Sequence, residues 1–476
     1  MQLGNLTFQE CLLLQSCRLH SKRLPLSRLP VIYGHRLAST DSGSSGGNAA
    51  PNRLNNASAK SLFLCGQEFE SDDYTNLTDR IIEQVNCGLH RQRGHPLWLL
   101  TNRIVGHFNA NYTRSRSRPL FTVVDNLSPI VTPEQNFDSL LIPADHPSRR
   151  PSDVYYLNRG RLLRGHTSAH QCDLLRQGLD AFLVVGDVYR RDEIDRSHFP
   201  VFHQMEGVRI YSQEQLFAGA KDSADSLRMF DRSRNRTDEQ QAGHSVETSK
   251  LLEHELKSCL EGLARRLFGS SIAYRWVPAY FPFTHPSWEL EVRHSQSDGG
   301  EADWMEMLGC GIVEQRLLDG CGLPNRTGWA FGLGLERWAM QLFSVPDIRL
   351  FWSKDPAFLA QFAQPCQPGA DLWQPVQYKP ISVYPPCPMD LSFWLPAADA
   401  SFHSNDFYDL VRSIAGDLVE QVSLIDEFRH PKDGRMSLCY RIVYRSHERT
   451  LTSEEARTVH DQIAKSAVTR LAVQIR

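Results

Sequence analysis

Apolar residues recur at helical spacing in Asn76–Cys87 and again in Pro96–Tyr112, where Leu97, Leu100, Ile104 and Phe108 share one stripe. From Leu120 to Leu350 the chain turns to short runs of strand type, broken by a few helices. Phe182–Arg190 predicts a strand, Arg191–Pro200 a polar loop, and Val201–Tyr211 a returning strand. A period of two places Val188, Arg190 and Asp192 on one face, with Phe202, Gln204 and Glu206 on one face of the partner strand. Val201 and Met205 point the opposite way. Asp231–Ser245 is polar and aperiodic and predicts a surface loop.

The last hundred residues carry a pattern of their own. Leu391, Phe393 and Leu395 alternate as in a half-buried strand. Phe407, Leu410, Val411, Ile414 and Leu418 follow on one helical stripe, with Asn405 available as N-cap. Tyr440, Ile442 and Tyr444 form one face of a later strand, and Thr452 with Glu455 makes a capping box for a final helix. The order β-α-β-(β)-α-β is that of a ferredoxin-like sandwich. Pro365–Pro380, rich in Pro and Gln, predicts the boundary before it.

Composition adds little until the N-terminus is considered. With 476 residues, 41% hydrophobic and 22% charged, the chain reads as two or three soluble domains. A formal net charge of −3 requires any nucleic-acid surface to be a local patch. Eleven cysteines include no C-x-x-C pair, and no apolar run is long enough for a membrane span. Between Met1 and Thr40, however, Glu10 is the only acid against Arg18, Lys22, Arg23, Arg28 and Arg36. That composition predicts a mitochondrial transit peptide over residues 1–45, a disordered basic tail being the plain alternative. Gly, Ser and Asn then crowd the chain, giving a flexible linker over residues 46–62.

The hairpin Gly186–Gly207, GDVYRRDEIDRSHFPVFHQMEG, is where chemistry concentrates. An Arg, a Gln, a Glu and an aromatic ring on one sheet face exceed what a buried face holds, since each unpaired polar group costs about 1–3 kcal/mol. A solvated face with salt bridges is the alternative. The pattern R-x-[DE]-loop-H-x-x-x-F-H-Q-x-E resembles motif 2 of class II aminoacyl-tRNA synthetases, and its FHQ-x-E ending is similar to the phenylalanine enzymes in particular. The resemblance implies that Arg190 grips the ATP α-phosphate and the amino-acid carboxylate, a task suited to a bidentate guanidinium. It places His198 near the leaving pyrophosphate, Phe202 on adenine, and Gln204 and Glu206 on the substrate ammonium, with Asp192, Ser197, Phe199 and Met205 in the same binding segment.

Four further segments join it. Phe331–Met340, FGLGLERWAM, resembles motif 3; its glycines permit close backbone approach and Arg337 would clamp the γ-phosphate. Leu163–Gln171, LRGHTSAHQ, resembles the family's amino-acid binding element, with His166 and Ser168 at the amino end and Ala169, His170 and Gln171 on the same turn. Tyr280–Glu291 presents Phe281 and Phe283 at strand spacing, a wall for a phenyl ring. Trp304–Gly311 resembles the substrate-cradling strand, and Glu306 is the candidate ligand for Mg²⁺. Ala330, beside Phe331, would set the depth of the pocket and reject a para-hydroxyl. The segment around Pro143 resembles motif 1.

The fold implied is α+β: a class II antiparallel sheet flanked by helices over residues 63–364, with an N-terminal helical segment, then a linker (365–378) and a ferredoxin-fold anticodon-binding domain (379–476). The activity implied is ATP- and Mg²⁺-dependent attachment of phenylalanine to tRNA(Phe) through an adenylate, by a monomer in the mitochondrial matrix, without a membrane partner. A hinge near Pro365–Pro380 would follow if the anticodon module stands away from the active site. Two rivals remain: a non-catalytic tRNA-binding paralogue, and a ligase for another amino acid such as tyrosine.

Overall fold

The computed structural model describes residues 61–114, 117–218, 227–293, 304–380, 384–396, 402–431, 434–446 and 448–476. The expected transit peptide and nearly all of the linker after it lie outside the described residues.

Seven strands form the central sheet: β1 (Thr122–Val124), β2 (Ala181–Tyr189), β3 (Val201–Tyr211), β4 (Tyr274–Phe281), β5 (Thr284–Arg293), β6 (Trp304–Val313) and β7 (Thr327–Gly334). Their order is β1-β2-β3-β7-β6-β5-β4. Only β1 and β2 run parallel; every other neighbour is antiparallel. The predicted hairpin is β2–β3, with Val188 opposite Phe202 and Gly186 opposite Gln204.

One face of this sheet is closed by helices α1 (Pro96–Asn111), α2 (Val246–Phe268) and α3 (Leu335–Phe343). The apolar stripe of α1 delivers Phe108 onto Phe331, their rings 5.8 Å apart and stacked. The helix α2 starts on a Ser245 cap, buries Leu252, Leu256, Leu260 and Leu263, and stops at Gly269 with φ 95°. Trp338 of α3 is fully buried and donates its indole N–H to the Met307 carbonyl at 2.8 Å. The shorter helix Asp79–Gln84 falls within the predicted Asn76–Cys87, capped by Thr78.

The C-terminal module has β8 (Cys387–Trp394), α4 (Ser404–Ala415), β9 (Val419–Arg429), β10 (Met436–Tyr444), α5 (Ser453–Leu471) and β11 (Gln474–Ile475). Its sheet order β9-β10-β8-β11, antiparallel throughout, is the ferredoxin-like one. The capping box of Thr452 and Glu455 is formed. Asn405 is not the cap of α4: His403 takes that place, because the Asn405 amide donates to the carbonyls of Ser152 and Arg191.

That exchange is part of a broad docking. Arg191 pairs with Asp406 at 2.8 Å and Asp409 at 2.6 Å, and Tyr155 donates to Asp409 at 2.8 Å. Arg196 pairs with Glu420, Val422 N–H donates to the Ile194 carbonyl, and the Ile194 side chain packs into the core of the C-terminal module. The module therefore does not stand away from the loop that follows β2; it holds it. The expected linker over residues 365–378 is also held, since Arg103 donates to the carbonyls of Leu372 and Gln374 and the Tyr378 N–H donates to the Phe343 carbonyl. Nor is Asp231–Ser245 merely a surface loop. Gln241 is buried and its amide reaches the carbonyls of His285 and Val313, so a polar side chain here fills an interior site.

Because Asp409 is buried between Arg191, Arg412 and Tyr155, Asp409→Ala should cost about 3–5 kcal/mol. A lower melting temperature together with a larger radius in small-angle scattering is the expected result. An unchanged profile and melting point would show that the docking rests on other contacts.

Candidate active site

Cross-strand partners share a face, so the register fixes what the open side of the sheet displays. From β3 come Phe202, Gln204 and Glu206. Opposite them on β7 stand Gly334, Gly332 and, across from Val208, Ala330. On β6, Gly309 and Gly311 pair with Gly332 and Ala330. A register shift at Met307 sets Glu306 opposite Glu291, which turns Glu306 onto the side that carries Gly309. Met205 and Phe331 lie on the other face: Met205 is fully buried and Phe331 stacks on Phe108 over Gly207. Both were expected at the ligand, and the alternation that brings their neighbours there turns them away.

One end of this face is cationic. The Arg190 guanidinium lies 5.2 Å above the Phe202 ring and its Nε donates to the Gly165 carbonyl at 2.7 Å. Arg337 pairs with Glu306 at 3.1 Å. His198 contacts Asp195 at 2.7 Å, and that carboxylate raises the imidazole pKa, favouring the charged ring. Ser197 also bonds Asp195, at 2.9 Å, so it supports His198 rather than the open face. Asp192 stands at the loop entrance, where its carboxylate acts on both Arg190 and His198. Phe199 stacks on Trp352 at 5.5 Å and is thereby committed to the core.

The other end is apolar with a buried acid. Phe281 and Phe283 stack 5.9 Å apart, and His166 lies 6.3 Å from Phe283. Glu206 is 2% exposed. Burial lifts its carboxyl pKa to about 7, against hydrogen bonds from Ser168 and Thr167 that oppose the rise. Burial and the Arg190 charge push His166 down to about 3, so its ring is neutral. Gln171 is 1% exposed, and neither atom of its amide has a partner among the described residues. An unpaired buried amide is costly, and a ligand would relieve it.

Ala169 and His170 stand one layer back. Ala169 is buried in the core and lines a separate cavity of about 540 Å³ with Cys172 and Asp173. His170 contacts Arg164 at 2.9 Å. Arg164, 1% exposed, also pairs with Asp187 at 2.9 Å and so ties the Thr167–Gln171 turn to β2. Neither Arg164 nor Thr167 was singled out from the sequence. Thr167 donates its hydroxyl to Glu206 and its backbone N–H to Gln204, a role the HTS string could equally have signalled as a simple helix start.

Comparisons with known proteins supply the family. The model of the tRNA synthetase class II core domain (F) matches residues 117–242 and 228–362, and the ferredoxin-fold anticodon binding domain matches 382–476. The mitochondrial phenylalanine–tRNA ligase of Mus musculus is 51% identical over 428 residues, covering 90% of this chain and 92% of its own. The chain belongs to the mitochondrial phenylalanine–tRNA ligase family. The Saccharomyces cerevisiae mitochondrial phenylalanine–tRNA ligase is 37% identical over 86% of this chain and 94% of its own. The Drosophila melanogaster relative, a probable mitochondrial phenylalanine–tRNA ligase by name, is 49% identical over 88% and 93%.

The apolar end of the cleft is closely packed. A Cβ on Gly309 would stand 2.6 Å from the Phe281 ring. Gly309→Ala should therefore displace that ring at an overpacking cost of about 1–3 kcal/mol, roughly 10- to 100-fold in kcat/KM for phenylalanine. The KM for ATP should stay near its original value. Parallel loss of both parameters would place Phe281 outside the amino-acid pocket.

Proposed function

We propose that this ligase, acting as a monomer in the mitochondrial matrix, binds phenylalanine and ATP along the open sheet face and joins them before transfer to tRNA(Phe). Residues 63–364 carry the chemistry and residues 379–476 read the anticodon. The observation that carries the reading is the polarity of the cleft: stacked phenylalanines and a buried acid at one end, two guanidinium groups and the Asp195-paired His198 at the other.

In the first step a phenylalanine carboxylate oxygen attacks the α-phosphorus. The bond to the bridging oxygen breaks, and pyrophosphate leaves with the electron pair. Phe281 and Phe283 hold the ring, with Ala330 at its para end. Glu206, Gln204, Ser168 and the unpaired amide of Gln171 receive the ammonium, while neutral His166 accepts a hydrogen bond from it. Arg190 spans the carboxylate and the α-phosphate, and its stacking over Phe202 leaves the far side of that ring for adenine. Arg337 exchanges its contact with Glu306 for the γ-phosphate, and His198, whose charged form Asp195 favours, faces the departing pyrophosphate. Charge neutralisation and alignment then do the work, without a protein nucleophile.

Glu306 and Glu289, on one face, suit a divalent cation shared with phosphate oxygens. Burial, reinforced by the negative field of Glu306 and Glu291, raises the Glu289 carboxyl pKa, and that field fits such a role. A bound Mg²⁺ would supply further neutralisation of the triphosphate. In the second step the 2′-hydroxyl of the terminal adenosine attacks the acyl carbonyl, and AMP leaves.

Amino-acid-dependent ATP–pyrophosphate exchange tests the reading. Phenylalanine should drive exchange, and Arg190→Ala should abolish it with the fold intact. No exchange would favour a non-catalytic paralogue; better exchange with tyrosine would favour a ligase for another amino acid.

The raised carboxyl pKa of Glu206 gives a pH signature. Below about 7 the empty site holds a neutral acid, which cannot pair with an ammonium, so that proton must leave on binding. The dissociation constant for phenylalanine should rise about tenfold between pH 8 and pH 6 and level off above pH 8. Glu206→Gln should bind weakly without that slope. A slope that survives in the variant would assign the proton to another group.

A further inference from the structure

Behind the cleft, one buried contact joins the two segments that carry its cationic end. The Glu336 carboxylate is 1% exposed, and among the described residues no Lys or Arg forms an ion pair with it. Both of its oxygens are given to a single residue. Oε2 accepts the backbone N–H of His203 at 2.8 Å, and Oε1 lies 2.7 Å from His203 Nδ1. The location explains the first bond. Strand β7 pairs with β3 as far as Gly334 opposite Gln204, then the chain turns into α3 at Leu335. The His203 N–H, one residue further along β3, has lost the strand that would have accepted it. The Glu336 side chain takes the place of the missing carbonyl.

The second bond fixes the ring. With a carboxylate as acceptor, Nδ1 carries the hydrogen, and the ring is enclosed by His90 at 5.3 Å and Trp352 at 6.1 Å. His203 is fully buried, and its Nε2 has no partner among the described residues. The ring therefore has no other anchor than Glu336 at its polar edge. Neither residue faces the ligand. Each is instead the chain neighbour of residues that do: Glu336 precedes Arg337, and His203 separates Phe202 from Gln204. A shift of the carboxylate moves the Arg337 backbone directly and releases the middle of the segment that bears Phe202.

We propose that Glu336 and His203 are positioning residues, a carboxylate–imidazole clamp that fixes Arg337 relative to Phe202 and so sets the distance between the two ends of the nucleotide site. The clamp rests on the assignment of those two residues to ATP. It leaves the phenylalanine pocket alone, because Phe281, Phe283 and Gly309 are carried by β4, the turn before β5 and β6, while the bonds of Glu336 go to His203 on β3.

The test is steady-state exchange on the full chain with Glu336→Ala, Glu336→Gln, Glu336→Asp and Arg337→Ala, each with its melting temperature. A misplacement of about 1 Å is expected to lower kcat/KM for ATP roughly 100-fold in Glu336→Ala, while the KM for phenylalanine stays within about twofold. Glutamine should recover most of the loss, since its oxygen can accept the backbone N–H while its NH₂ donates to the other tautomer of the ring. Aspartate, one methylene short, should not recover it. If alanine leaves too little folded protein to assay, the aspartate and glutamine pair carries the same contrast. A drop in melting temperature with unchanged ATP parameters, or ATP and phenylalanine parameters falling together, overturns the clamp. An unaffected KM for ATP in Arg337→Ala would instead overturn the underlying assignment of the site.

Discussion

A sheet can serve as a binding surface only if its two faces obey different rules. Here the face toward α1, α2 and α3 is closed by Trp329, Phe331, Leu333, Leu308 and Ile312, all nearly inaccessible. The other face must stay free of side chains along its centre, and it is glycine that clears it. Gly309 lies opposite Gly332, and a Cβ on Gly332 or Gly334 would meet nothing within 4 Å. The strip so formed is flat backbone, bordered by rings at one end and guanidinium groups at the other. Each feature of the cleft depends on that asymmetry, because a single residue of slip would exchange the faces.

The same asymmetry decided what could be read from the sequence. Strand β3 was legible to the residue because a period of two leaves little choice once Val201 and Met205 are assigned inward. For Met205 and Phe331, membership of a motif suggested a place at the ligand, and alternation is the better guide. The position of Glu306 depended on a bulge, and one extra residue in a ladder leaves no signature in composition. Glu336 and His203 were invisible for another reason: a buried acid beside an arginine reads as half of a surface pair until the turn from β7 into α3 is known. The element order of the ferredoxin-like module was legible, as its helices and strands are locally consistent, but the cap of α4 was not, because Asn405 is drawn away by distant carbonyls. Its seat on the loop after β2 was not, because the matching arginines and aspartates lie about 215 residues apart.

Electrostatics divide the empty cleft into groups already satisfied and groups left waiting. Arg337 holds Glu306 and His198 holds Asp195, so the cationic end is partly neutralised at rest. At the apolar end the opposite holds. Burial lets Glu206 hold its proton up to about pH 7, and the Gln171 amide is unpaired among the described residues. In the proposed binding mode a ligand lacking an ammonium would leave both groups unmet, which would concentrate binding energy where specificity is required.

The docking of the C-terminal module also bears on how the chain can be divided. Two family models meet it as separate lengths of sequence, which suggests parts that can be exchanged or removed at will. The contacts say otherwise. Ile194 belongs by sequence to one part and by packing to the other, and Arg191 is enclosed by aspartates from beyond residue 400. A truncated chain would bare an apolar side chain and a desolvated guanidinium within a few residues of Arg190. What inheritance treats as two modules is, at this seam, one hydrophobic and ionic unit, and a graft that respects only the sequence boundary would cut through it.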